Sequence, residues 1–372
     1  MRKALVNAPE SRESASSSAA KASDGETAAG KSPSNKAWMK PLWSVLRLLL
    51  VVGLLWWVID RNGRGRIVET VLAAQPGWLL AGALLFFASI VLGAWQWHLL
   101  LRWQGIEQGF APTFRTYYVG LFLNNFLPGT VGGDVVRVVE ARKAMSGWGK
   151  AAAATLLDRL LGFAALSALA WLALVLERFR GVLAKDVYAH LFKAVSLITA
   201  SFACVLILLL SRRVSAAFHH LVRRTPWRRL DHAYTRLQDL VTAYRRQWGR
   251  MGSIFLISLA VQILRVAVHW TAGLGLGLAI SPAFYFCFIP IMALAGVVPV
   301  NVGGWGIPQS LGAYLYGLPG VLPDGLANPA ASAAAIAFLP SVLGFVVMLG
   351  GGIYLVIGRS PRSPNSTSSA EI

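Results

Sequence analysis

Acidic residues are scarce in this chain: 16 Asp and Glu stand against 35 Lys and Arg in 372 residues, and charged residues make up only 14% of the total. A soluble domain carries about 25%, so nearly half of the usual charge is missing. Cysteine is scarcer still. Cys204 and Cys287 both sit in apolar runs, which gives neither a disulfide framework nor a metal-ligand pair. Enzyme signatures are missing as well: there is no G-x-S-x-G, no H-E-x-x-H, and no G-x-x-x-x-G-K-[ST] loop to cradle ATP phosphates. His219 and His220 are adjacent, which does not put both on one helix face for a metal. No cofactor and no catalytic activity are expected. Without an ATP site, any transport would use an ion gradient or run downhill.

What fills the space is apolar sequence. Hydrophobic residues make up 56%, in runs long enough to cross a hydrocarbon core, which takes roughly 20 helical residues. The runs predict spans over 42–59, 78–101, 151–176, 188–210, 252–280, 283–298 and 331–357. Trp43, Trp56, Trp57, Trp78, Trp97, Trp103 and Trp171 fall near their ends, as an aromatic belt would. Two stretches are apolar but too broken to cross as plain helices: Tyr117–Val136 and Pro299–Gly317. The fold class expected is all-α, a polytopic membrane helix bundle of about seven to eight spans with two Gly-broken segments.

Charge sets the orientation. The net charge of +19 does not point to nucleic acid, because the basic residues lie beside apolar segments, where they orient a membrane protein and attract anionic head groups. Loop 211–251 holds ten arginines against Asp231 and Asp239, which places it in the cytoplasm. Counting back puts 102–150 and the tail before residue 42 on the same side, provided that Tyr117–Val136 dips in and leaves where it entered. A multi-pass protein of the cytoplasmic membrane with a cytoplasmic N-terminus is expected. Residues 1–40, with no aromatic before Trp38 and no apolar h-region, read as a disordered tail rather than a signal peptide. Residues 41–358 read as the transmembrane domain and 359–372 as a second disordered tail. Within loop 211–251, Trp227, Leu230, Tyr234, Leu237, Val241, Tyr244 and Trp248 recur at helical spacing. This amphipathic helix either lies in the inner interface or packs on the protein's own cytoplasmic face.

The motifs lie at the two breaks. Pro128-Gly129-Thr130-Val131-Gly132-Gly133 and Pro299-Val300-Asn301-Val302-Gly303-Gly304 share P-x-x-V-G-G, each after an apolar segment and before a short amphiphilic stretch. Paired broken segments in the two halves point to an internal repeat and to a transporter binding site. Glycine-broken backbone frees N–H and C=O groups that lipid cannot satisfy, so it persists beside a polar cavity or buried in protein. A helix starting after the break offers N–H groups to a phosphate. The alternative is that these glycines only allow close helix contact.

The stretch Asn124-Asn125-Phe126-Leu127-Pro128-Gly129-Thr130-Val131-Gly132-Gly133-Asp134-Val135-Val136-Arg137 resembles the first signature of the lysylphosphatidylglycerol synthase transmembrane-region family, the flippase-like family. Asp158-Arg159-Leu160-Leu161-Gly162 resembles its second, and Pro299 to Gln309 its third. The resemblance covers about Leu42 to Ile357 and implies a protein that moves or handles anionic lipids. Some such proteins carry a soluble aminoacyl transferase domain; only Arg359–Ile372 follows the last span here, so aminoacylation is not implied. Gln309 stands where the family pattern has an acid.

The residues alone fit an anionic head group. Asp134 and Arg137 share a helix face, so Arg137 could clamp a phosphate with Asp134 holding its guanidinium. Asp158 and Arg159 point to different faces and pair with other elements, Arg137 or Glu140 among them. Arg142, Lys143 and Lys150 read as ordinary inner-side anchors. Arg265 sits near mid-span, where a charge costs roughly 2.5–3.5 kcal/mol, and with Gln262 and His269 it forms one polar stripe. It is read as a head-group ligand, the alternative being a structural ion pair. Gln96 and His98 are weaker candidates that could snorkel. The binding set expected is thus Asn125, Pro128, Gly132, Gly133, Asp134, Arg137, Asp158, Arg159, Arg265, His269, Asn301, Gly303, Gly304 and Gln309. The function expected is binding and flipping of an anionic phospholipid or lipid-linked phosphate. The alternatives are a membrane enzyme using Asp134 and Asp158, or an accessory subunit with a partner protein in lipid synthesis.

Overall fold

A computed structural model describes residues 69–125, 132–143, 148–181, 184–210, 248–297 and 305–357, all within a single compact unit. The predicted span 42–59, most of the arginine loop and its amphipathic stripe, and both tails lie outside the described residues.

Every regular element among the described residues is an α-helix. In chain order they are α1 (Pro76–Trp103), α2 (Phe110–Asn124), α3 (Gly132–Lys143), α4 (Trp148–Arg180), α5 (Lys185–Leu210), α6 (Trp248–Gly275), α7 (Pro282–Val297), α8 (Ile307–Tyr316) and α9 (Pro329–Ile357). The helices α1, α4, α5, α6 and α9 are long and apolar enough to cross a membrane. Their outward faces carry Leu80, Leu84, Phe87, Leu172, Leu176, Leu256, Ile263, Val346 and Ile353 in exposed positions, which suits lipid rather than water. The chain is a multi-pass membrane protein.

The helices α1 and α6 form the central pair and run antiparallel. Gln75 N–H donates to Gly275 O at 2.8 Å, and Gly82 lies against Thr271, so the start of α1 sits at the end of α6. At the other end, Ile254 packs with Leu100 and Leu101. Each of these helices is followed by a helical hairpin. After α1, α2 runs inward and α3 returns along it, Gly133 facing Gly120. After α6, α7 runs inward and α8 returns, so that Tyr316 near its end stacks on Tyr285 near the start of α7, ring centroids 5.8 Å apart. Because α1 and α6 are antiparallel, the two hairpins enter from opposite ends of the bundle. The predicted span 283–298 falls within one residue of α7, whose described residues run Pro282–Val297 and which packs on α8.

The predicted span 252–280 ends early, at Gly275. The helix α9 holds both hairpins. Ser341 near its middle binds Gln309 of α8, while Val347 O accepts a hydrogen bond from the Tyr118 hydroxyl of α2 at 2.5 Å. Gly350 and Gly351 let α9 lie directly on Tyr118. Pro340, just before both attachments, removes a helical donor to the Ile336 carbonyl.

Candidate functional site

The site forms where α3 and α4 meet α1 and α2, at the edge of the core around Trp97, Tyr117 and Leu157. Its assembly starts with a glycine pair. A Cβ on Gly133 would run into the backbone carbonyl of Gly120, and one on Gly120 would stand 2.9 Å from Cγ of Arg137. Without side chains at these two positions α3 lies flush on α2, and the Arg137 stem crosses Gly120. Asn124, the last residue of α2, accepts a hydrogen bond from Gly133 N–H at 2.6 Å. This satisfies one of the N–H groups that a helix start leaves orphaned.

The cluster itself is ionic. Arg137 is only 2% exposed. Its Nη1 donates to Asp134 Oδ1 at 3.1 Å and its Nη2 to Asp158 Oδ2 at 2.9 Å. The rings of Trp97 and Tyr117 lie against the same guanidinium, at 4.5 and 4.4 Å, an arrangement that stabilises a buried cation. Asp158 takes a further bond from Gln96 Nε2 at 2.9 Å. Trp97 is fixed in turn by its Nε1–H, which donates to Thr155 at 3.1 Å. Arg159 presents a two-donor fork to Asp134, Nε to Oδ2 at 2.9 Å and Nη2 to Oδ1 at 3.1 Å. This pair faces outward: the Arg159 side chain is 34% exposed and that of Asp134 13%.

Arg265 approaches from α6. One turn before it, Gln262 lies 3.1 Å from where a side chain at Gly162 would begin, so α6 runs against α4 close to Arg159. Arg265 Nε is buried without a hydrogen-bond partner among the described residues. The ion pairs join Arg137 and Arg159 to Asp134 and Asp158, and Arg265 lies on α6, the helix that runs against α4.

The structure thus brings together Gly133, Asp134, Arg137, Asp158 and Arg159, with Arg265 on the neighbouring helix α6. Gly132 opens α3. Arg137 was expected to reach a phosphate with both donors; instead two carboxylates occupy Nη1 and Nη2, and two aromatic rings cover it. Asn125 turns its amide to Leu121 O, Phe122 O and Met348 Sδ, and it is Asn124 that reaches α3. His269 bonds to the Arg265 carbonyl of its own helix at 3.0 Å. Gln309 belongs to the other hairpin: its Oε1 accepts from Gly306 N–H and its Nε2 donates to Ser341 Oγ, both at 2.8 Å. Gly306 takes φ of 114°, a conformation open to glycine alone at low cost, and Gln309 closes that turn. Pro128, Asn301, Gly303 and Gly304 lie outside the described residues.

Sequence reasoning missed Asn124, Trp97 and Tyr117 as parts of the site. Trp97 was expected in an interfacial belt, yet it is fully buried. Its signal was its place one turn from the glycine-lined face of α1, beside Gln96. Gln96 itself was expected to snorkel and instead binds Asp158, while His98 meets Thr113 at 3.2 Å.

Comparison with known proteins follows the same residues. The model of the lysylphosphatidylglycerol synthase TM region matches residues 44–352, and the chain belongs to that family. A UPF0104 membrane protein of Pyrococcus horikoshii is 30% identical over 125 residues, which cover 33% of this chain and 36% of that protein. The match therefore spans about a third of the relative's length.

Proposed function

We propose, from membership of this family and the geometry of the charged cluster, that the protein binds the head group of an anionic phospholipid or lipid-linked phosphate and carries it across the membrane. The observation that bears most weight is the ionic cluster itself: Arg137 and Arg159 pair with Asp134 and Asp158 among apolar helices, and ionic groups inside a membrane bundle are costly unless they face protein or a polar pathway. Arg137 is committed to holding the cluster together. Arg159, at the cluster's exposed edge, and Arg265, with its buried Nε, are the contacts for a phosphate, and the start of α3 adds backbone donors. A hairpin from each end of the bundle would let the head group pass while its acyl tails stay in lipid. An enzyme reading has less support, since both of its acids are engaged by arginines and neither is poised beside a nucleophile. We place the protein in the cell membrane with its N-terminus in the cytoplasm, on the charge of the 211–251 loop.

The test is flipping in proteoliposomes, with a fluorescent anionic phospholipid and bleaching of the outer leaflet. Arg159→Gln and Arg265→Gln are expected to reduce the rate at least about tenfold, the loss of one charge-assisted phosphate contact. Rates equal to wild type in both variants would overturn the assignment.

A further inference from the structure

The outer edge of the cluster already holds an anion in the geometry a phosphate would take. A guanidinium recognises a phosphodiester through two parallel N–H···O bonds to its two non-bridging oxygens. Asp134 offers its two carboxylate oxygens to Nε and Nη2 of Arg159 in that pattern, at 2.9 and 3.1 Å. It is also the carboxylate best able to move. Its pair with Arg159 is the exposed one, whereas Arg137 and Asp158 are 2% and 9% exposed.

Leaving Arg159 would not strand Asp134. Arg137 Nη1 still donates to it at 3.1 Å, and it stands in the first turn of α3, where the helix N-terminus favours negative charge. Exchanging a carboxylate for a phosphate on Arg159 keeps the number of ion pairs constant. The swap is then close to balanced in free energy, as it must be for a head group that has to leave again.

We propose that Asp134 is an internal counter-anion: it fills the Arg159 fork in the empty protein, and a phosphodiester monoanion displaces it. This deepens the function proposed above and rests on it. The fork selects the substrate class: its two parallel N–H donors match the two non-bridging oxygens of a phosphodiester.

The experiment titrates short-chain phosphatidylglycerol into full-length protein in phosphatidylcholine nanodiscs, with retained lipid read by native mass spectrometry. Asp134→Asn and Asp134→Ser both remove the competitor, and serine also suits a helix start. Each should lower the Kd by about fivefold or more, the equivalent of roughly 1 kcal/mol. Glu140→Gln, which removes a negative charge further along α3, should change the Kd by less than about twofold, as general electrostatics would. Should one Asp134 variant fail to fold, the other carries the comparison. In unaltered protein, the aspartate carboxylate infrared bands should shift on lipid addition. Asp134 variants that bind no tighter than Glu140→Gln, or unmoved bands, overturn the counter-anion. Arg159→Gln separates the two readings. Lost binding there with no gain in the Asp134 variants rejects only the counter-anion, while unchanged binding rejects the head-group site itself.

Discussion

Removing Arg137 tests whether the cluster is held from its centre. Arg137→Leu keeps apolar volume against Trp97 and Tyr117 but deletes two ion pairs. The consequences for the two carboxylates differ. Asp134 keeps the Arg159 fork, whereas Asp158 keeps only the neutral amide of Gln96. Breaking a buried pair by removing one partner costs about 3–5 kcal/mol, and the lost ring contacts add roughly 1–2 kcal/mol. We expect a total near 4–7 kcal/mol on these two scales. The asymmetry gives a sharper test than the size. Adding Asp158→Asn to Arg137→Leu removes the stranded charge and should restore about 2–3 kcal/mol, part of the uncompensated-charge penalty. Adding Asp134→Asn instead should restore nothing, because it also takes the partner of Arg159. Reversible unfolding in mixed micelles, followed by near-ultraviolet circular dichroism, measures all three. A single variant within about 1 kcal/mol of wild type, or two double variants of equal stability, would refute the keystone role.

Further outcomes follow from the same contacts. Gly133→Ala drives a methyl into the Gly120 carbonyl; it should cost about 1–3 kcal/mol as overpacking and lower the flipping rate by misplacing Asp134, read by the same unfolding and proteoliposome assays. Tyr118→Phe removes the hydroxyl that binds Val347 O and should lose about 0.5–1.5 kcal/mol in unfolding, without affecting lipid binding in nanodiscs. Ser341→Ala removes the hydroxyl that accepts a hydrogen bond from Gln309 Nε2; about 0.5–1.5 kcal/mol should be lost. Protease cleavage near α8 should become faster in that variant while the Arg159 site keeps its affinity.

The long helices were legible because a run of apolar residues has one meaning in a bilayer, and α1, α4, α5 and α9 fall close to their predicted ranges. The hairpins were legible as breaks, since the P-x-x-V-G-G repeats interrupt the apolar pattern. The range of α7 was legible for the same reason as the long helices, while its pairing with α8 was not, because composition does not encode which helix a short apolar run packs against. Within the site, charge spacing placed Asp134 beside Arg137 on one face. Which carboxylate Arg159 would take depends on the crossing of α3 over α4, which no local pattern encodes. Trp97 was misassigned for a related reason: a tryptophan near the end of an apolar run looks alike whether it faces head groups or a buried guanidinium.

One helix touches both hairpins. Bonded to α8 through Ser341 and to α2 through Val347, with Pro340 on the α8 side of both attachments, α9 works as a strut common to two otherwise separate limbs. Neither hairpin can shift along the membrane normal unless α9 travels with it or gives up a bond. A shift of one hairpin is thus felt at the other through α9.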